Sequence, residues 1–269
     1  MPVCIAGMHR SGTSMVARLL NRCGVSLGPE SELLPAAPDN PEGFWENRRF
    51  LAVNEVILTK LGGTWARPPR FVPGWETTAA VAPLLTHARA LGAVLDREGG
   101  AWGWKDPVNS LTIPFWRRAI PDIAVVVCVR HPRDVAASLR ARHGCSEEVG
   151  FELWRRYAER LLGDRGAEPH VVTHYDSYFE DGARELHRVL TALGLPASER
   201  TVSRALGSRR PRLRHHHAPG TRAPMPPEVA IPYTVLCNEA GRDPETSTRR
   251  VRPTTDRIDA ALRVRPPAR

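Results

Sequence analysis

Residues 7–14, Gly-Met-His-Arg-Ser-Gly-Thr-Ser, hold the densest chemistry in the chain. Gly7 and Gly12 bracket a cation, Arg10, and three hydroxyls follow it at Ser11, Thr13 and Ser14. The apolar run PVCIA precedes the segment, and Met15, Val16, Leu19, Leu20 and Cys23 recur after it at helical spacing. Strand, glycine-bounded loop and helix is the build of a phosphate-binding loop, where backbone N–H groups at the helix start hold an anion. The spacing nearly matches the nucleoside triphosphate signature G-x-x-x-x-G-K-[ST]. Thr13 stands where that signature has its phosphate-gripping lysine. A nucleotide kinase would lack its main β/γ-phosphate clamp, so the loop suits a shorter anion, such as one 5′-phosphate bearing a transferable group. An ordinary strand–turn–helix of an α/β domain is the competing reading of the loop alone.

Two further constellations carry charge. Lys105-Asp106-Pro107 closes a short apolar stretch, and Arg130 ends the continuous run IAVVVCV. Ser138 follows Arg130 by eight residues, on a helical segment. An arginine fork plus a hydroxyl makes a phosphate clamp, expected away from the first anion site. Two phosphate sites beside one nucleoside pocket point to a nucleotide phosphorylated at two positions. The competing reading pairs Arg130 with Asp134 at the surface. For a proton acceptor the sequence offers Glu46 first, Asp106 second and Glu42 third; the two glutamates lie in a long Pro- and Gly-rich loop over residues 25–47. Phe44, Trp45, Trp65 and Trp75 are candidates for an acceptor pocket, or equally core anchors of Pro-rich segments.

These groups need a scaffold. A run buried on both faces, as residues 123–129 imply, belongs to a parallel sheet. Strands at 2–6, 101–106, 123–129 and 169–174 alternate with helical stripes at 50–61, 78–96, 111–119, 132–142, 146–162, 182–193 and 197–206. That alternation predicts an α/β/α sandwich with right-handed crossovers, its ligands at the carboxyl ends of the strands. From Arg209 the chain reads as basic, Pro-rich and without period. The expected division is a domain over 1–217 and a Pro/Arg-rich segment over 218–269, wrapping the domain or partly mobile.

The chain has 269 residues, 42% of them hydrophobic, with a formal net charge of +9. The basic balance allows an anionic ligand. Zinc-ligand spacing and RNA-binding aromatic signatures are missing, so nucleic acid is not expected as a partner. Five scattered cysteines without C-x-x-C pairing fit reduced thiols in a cytoplasm. Neither a secretory leader nor a membrane span is expected. His215, His216 and His217 are adjacent in sequence and rarely converge on one ion, so no metal site is expected.

The two anion blocks together resemble the sulfotransferase family, whose members use 3′-phosphoadenosine 5′-phosphosulfate (PAPS) and a modified P-loop fold. Residues 7–14 are similar to its 5′-phosphosulfate loop, and Cys128–Leu139 to its 3′-phosphate motif. The resemblance implies that Arg10, Ser11, Gly12, Thr13 and Ser14 bind the 5′-phosphosulfate and that Arg130 and Ser138 bind the 3′-phosphate. Tyr175-Asp176 is similar to the family's Tyr-Glu-Asp strand end, which places Tyr175 near adenine. Arg212 and Arg214 would cover the nucleotide. Arg10 replaces the loop lysine of cytosolic small-molecule members, and Lys105-Asp106-Pro107 replaces their Lys-Thr-His. The base must then be a carboxylate, as in bacterial and carbohydrate-type members. The implied reaction moves a sulfuryl group to a hydroxyl or amine of a small-molecule, natural-product or glycan acceptor, without a metal, with Arg10 and Lys105 stabilising charge. A small-molecule kinase and a non-catalytic nucleotide-binding protein are the alternatives.

Overall fold

The apolar runs pair as β1 (Pro2–Ala6), β2 (Trp102–Lys105), β3 (Ala124–Val129) and β4 (His170–His174). A computed structural model describes residues 1–37, 40–164, 170–207 and 224–244. The four strands form one parallel sheet in the order β2-β1-β3-β4. Side chains alternate between its faces, as the two-residue period of a strand requires. Cys4, Ala6, Val125, Val127 and Val129 enter one apolar cluster, while Val3, Ile5, Ala124, Val126 and Cys128 enter a second.

Helices cover both faces. The first cluster takes side chains from α2 (Arg48–Lys60), α3 (Leu84–Glu98), α4 (Asn109–Ala119), α5 (Pro132–His143) and α6 (Glu147–Asp164). The second takes them from α1 (Thr13–Arg22), the short α7 (Ser177–Glu180), α8 (Gly182–Ala192) and α9 (Glu199–Gly207). The result is the three-layer α/β/α sandwich with a central parallel sheet that the alternation predicts. Trp102 and Trp104 leave β2 on the same side and pack with Phe50 of α2 and Trp116 of α4. Phe50 stacks on Trp104 at 4.9 Å between ring centroids, and Trp104 meets Trp116 at 5.0 Å. These rings fix where β2 ends, and hence where Lys105 and Asp106 stand.

Two elements depart from the sequence reading. The stripe at 78–96 is helical only from Leu84; Thr78 to Val81 form a turn closed by Val81 N–H donating to Thr78 O at 3.1 Å. Residues 227–239 form α10 (Pro227–Glu239), inside the stretch read as non-periodic. Its Val229, Tyr233, Leu236 and Cys237 are buried in the first cluster, at the i, i+4, i+7, i+8 spacing of one helix face. Pro232 masks that stripe in sequence, since proline inside a helix removes a hydrogen bond. Among the described residues no helix is long and apolar enough to cross a membrane.

The loop between β1 and α1 depends on a close approach. Gly12 has φ 87°, and a Cβ there would lie 2.3 Å from Tyr175 Cδ2. Alanine normally stabilises a glycine site with compatible backbone. Here Gly12→Ala should destabilise by about 1–3 kcal/mol from backbone strain alone, a Tm fall of ~2–4 °C per kcal/mol at this size. Thermal unfolding that showed no fall would mean that the Gly12–Tyr175 contact is not tight.

Candidate active site

Parallel strands deliver their carboxyl ends to one edge, so four separate segments converge there. Gly7 follows β1, Asp106 follows β2, Arg130 follows β3 and Tyr175 follows β4. The loop after β1 is held from several sides. Gly7 N–H donates to Ser110 Oγ at 2.8 Å, and Ser11 N–H donates to Met8 O at 3.0 Å. Arg10 adopts φ 69°, uncommon for a residue with a Cβ. Helix α1 has no side-chain cap at Gly12, so its first N–H groups stay directed into the loop. Ser11 Oγ is buried and lacks a hydrogen-bond partner among the described residues. A dipole end, bare amides and an orphan hydroxyl together fit a phosphate.

The second block joins the first rather than standing apart from it. Arg10 Nε donates to Ser138 Oγ at 2.9 Å, and Arg130 Nη1 donates to Arg10 O at 3.2 Å. β1 and β3 are neighbours in the sheet, which brings the two loops into contact. The Arg130 guanidinium lies 4.5 Å above the centre of the Tyr175 ring, and that ring packs against Gly12. Arg130 is buried. His131 caps α5, its Nδ1 accepting from Arg133 N–H at 3.2 Å, in keeping with a loop-structuring role.

Lys105 reaches in from the end of β2. Its Nζ donates to Ser14 Oγ at 3.1 Å and pairs with Glu46 Oε1. Both partners are buried, Lys105 at 1% exposure and Glu46 at 7%. Glu46 Oε2 has no partner among the described residues. The 25–47 loop that carries Glu46 is tied to α1 through Asn40, whose Nδ2 reaches Gly43 O at 2.8 Å and Ser14 Oγ at 3.5 Å.

The other two carboxylates are engaged elsewhere. Asp106 Oδ1 accepts from Val108 N–H at 2.9 Å and Oδ2 accepts from Asn54 Nδ2 at 2.8 Å. Asn54 also binds Asn109, Thr112 and Trp116, so Asp106 belongs to a buried network that anchors the start of α4. Glu42 pairs with Arg18 of α1, whose side chain is buried. The sequence reading passed over Asn54; a polar residue inside the apolar stripe Phe50, Val53, Ile57, Leu58 was its signal.

Aromatic residues divide. Trp65 lies beside the loop, its ring 4.6 Å from the His9 ring and 5.2 Å from His143. Burial, with Lys105 and Arg10 nearby, pushes the His9 imidazole down to about 3, so it is neutral at physiological pH. Phe44 sits under the Arg142 guanidinium at 5.7 Å. Trp75 is buried against Phe71, away from these groups, and is a core anchor. His215, His216, His217, Arg212 and Arg214 lie outside the described residues. Among the described residues no cluster of His, Cys, Asp or Glu could hold a metal ion.

Burial pushes the Asp106 carboxyl up to about 7, with Glu46 adding to the rise and Asn54 opposing it. Its folded value exceeds the unfolded one, so the folded state binds the extra proton between about pH 4 and 7. Stability from this group is therefore present below about pH 4 and is lost as pH rises through 7. Asp106→Asn should remove that slope. Urea midpoints from pH 5 to 8 should fall for the parent relative to the variant, and parallel curves would contradict the burial of a neutral acid.

The family model described as "Sulfotransferase family" matches residues 2–199. Among solved structures, the sulfotransferase domain from the Synechococcus PCC 7002 olefin synthase is similar at 16% identity and TM-score 0.55, covering 90% of this chain and 95% of that one. The sulfotransferase STF9 from Mycobacterium avium is 17% identical at TM-score 0.47, covering 88% of this chain and 75% of that one. No curated protein matches the chain. With the family model spanning both anion blocks and all four strands, the chain belongs to the sulfotransferase family.

Proposed function

We propose that the protein transfers a sulfuryl group from PAPS to a hydroxyl or amine of a small-molecule, natural-product or carbohydrate acceptor. The observation that carries the reading is Glu46. One of its oxygens is held by Lys105 beside Ser14 of the anion loop, and the other is left without a partner among the described residues. A carboxylate so placed accepts a proton from an incoming nucleophile, while the neighbouring lysine faces the group being transferred.

When bound, PAPS supplies an activated sulfuryl group on its 5′-phosphate. The chain's own residues do the rest. Ser11, Thr13, Ser14 and the free amides of α1 hold the 5′-phosphosulfate, and Gly12 keeps Tyr175 close to the nucleotide. Arg130 and Ser138 grip the 3′-phosphate. Arg10 bridges the two blocks through its backbone oxygen and side chain. Arg10 and Lys105 stabilise the charge that grows as the sulfuryl bond breaks, the pre-organised electrostatic role that usually dominates such transfers. Glu46 takes the acceptor's proton. Asp106 positions Lys105 by fixing the β2–α4 junction. Trp65, packed on His9 and His143, and Phe44, under Arg142, are the aromatic candidates for contact with the acceptor.

Glu46→Gln should lower turnover by roughly 10²–10⁴-fold and leave nucleotide binding intact, whereas Glu42→Gln should keep most activity. Initial rates with labelled PAPS measure this, and a fully active Glu46→Gln variant would remove Glu46 as the base.

Nucleotide choice tests the donor. Adenosine 3′,5′-bisphosphate at a hundred times its Kd should stabilise the fold by about 2.7 kcal/mol without magnesium, and ATP much less. Arg130→Ala should erase most of that preference, roughly 1.5–3 kcal/mol for a lost charged hydrogen bond. Thermal shifts with both nucleotides, with and without magnesium, decide it; stronger stabilisation by magnesium-ATP would favour a kinase.

A further inference from the structure

Two histidines flank the residues that stack at the carboxyl edge of the sheet. The Arg130 guanidinium lies over the Tyr175 ring; His131 follows Arg130 and His174 precedes Tyr175. The two histidines are placed alike. His131 Nδ1 accepts from Arg133 N–H and His174 Nδ1 accepts from Asp176 N–H, both at 3.2 Å. Each thereby ties down the backbone where a helix begins, α5 after β3 and α7 after β4. Both are buried, at 3% and 0% exposure.

Tyr233 of α10 touches both. Its ring meets the His131 ring edge-on at 5.1 Å between centroids and the His174 ring at 6.0 Å. Its hydroxyl lies 3.2 Å from His174 Nε2. Burial pushes the His174 imidazole down to about 4, so the ring is neutral at physiological pH. With Nδ1 accepting, the single ring proton stands on Nε2 and is donated to the Tyr233 oxygen. The Tyr233 hydroxyl in turn bonds Cys237, one helical turn on.

Two further contacts hold the same segment to the same edge. Ahead of α10, Pro224 O accepts from Arg133 Nη2 at 2.7 Å. Behind it, Arg242 Nη2 donates to Glu180 Oε1 of α7 at 2.7 Å. Val229 and Leu236 bury the same face of α10 without a polar side-chain atom. A buried hydroxyl adds position rather than burial, because a displacement leaves it and its partner unpaired.

We propose that Tyr233 is a positioning residue of the nucleotide site: through His131 and His174 it holds Arg130 and Tyr175 in their stack and so sets the grip on the 3′-phosphate. This rests on the sulfotransferase reading above. A binding side chain is only as precise as the residues that lock it in place. Tyr233 contacts the chain neighbour of each stacked residue, so one side chain fixes the two strand ends relative to each other. It does so from a helix that lies beyond residues 2–199, the span matched by the family model.

The test uses the full chain and calorimetric titration with adenosine 3′,5′-bisphosphate and adenosine 5′-phosphate, two probes that differ only in the 3′-phosphate. Their affinity ratio reads the grip on that phosphate, and a loss of stability alone does not move it while the protein stays folded. Tyr233→Phe, which keeps the ring and removes the hydroxyl, should lower the ratio by roughly 3- to 10-fold, the worth of one neutral hydrogen bond. Tyr233→Leu, which also removes the ring, should lower it further. Leu236→Val, a core change on the same helix, should lower Tm and leave the ratio unchanged. An undiminished ratio in Tyr233→Phe, or an equal fall in Leu236→Val, would overturn the proposal, whether or not Tyr233→Leu folds. A parent protein that bound both nucleotides equally would instead overturn the 3′-phosphate assignment of Arg130, and the proposal with it.

Discussion

Lys105 and Glu46 face each other almost out of reach of water, and the organisation of the site follows from that pair. Each charge loses several kcal/mol of solvation on burial, and mutual attraction offsets this only with good geometry and further hydrogen bonds. Ser14 supplies one such bond, and the 25–47 loop must lie down on α1 to bring Glu46 into place. An apolar pair of similar volume would often be as stable. Stability alone therefore does not account for the pair, which holds Lys105 beside residues 7–14 and leaves Glu46 Oε2 without a partner among the described residues.

Rigidity behind the pair comes from the aromatic cluster under β2. Phe50, Trp102, Trp104 and Trp116 lock α2 and α4 to the strand whose last residue is Lys105. Asn54 then connects the same helices to Asp106 through hydrogen bonds that are all buried. A fully satisfied polar network in a low-dielectric core specifies one arrangement, since any displacement leaves a buried group unpaired. On the other side, the stack of Gly12, Tyr175 and Arg130 ties together the ends of three strands without a covalent link.

The fold was largely legible. Strand period and apolar runs marked all four strands, because residues buried on both faces of a parallel sheet have little compositional freedom. The start of α3 and the whole of α10 were not legible. Helix α3 starts only after Pro83, at the position where proline favours a helix start, whereas in α10 Pro232 lies inside the helix and tertiary packing outweighs the local penalty. The Arg10 and Arg130 blocks were visible as separate motifs. Their contact was not, because it follows from β1 and β3 being neighbours although 117 residues lie between Ala6 and Ala124.

The same contrast separates the three carboxylates. Residue type and loop composition nominated Glu46, Asp106 and Glu42 in that order, since each is an acid close to a glycine, a proline or a lysine in sequence. Their roles diverge only through partners brought from elsewhere: Lys105 for Glu46, Asn54 for Asp106 and Arg18 for Glu42. Local chemistry, which depends on a few adjacent residues, made the strand, the glycine-bounded loop and the helix after it recognisable from the letters alone. Which acid keeps a bare oxygen depends on long-range hydrogen bonds and burial, and those exist only once the chain has folded.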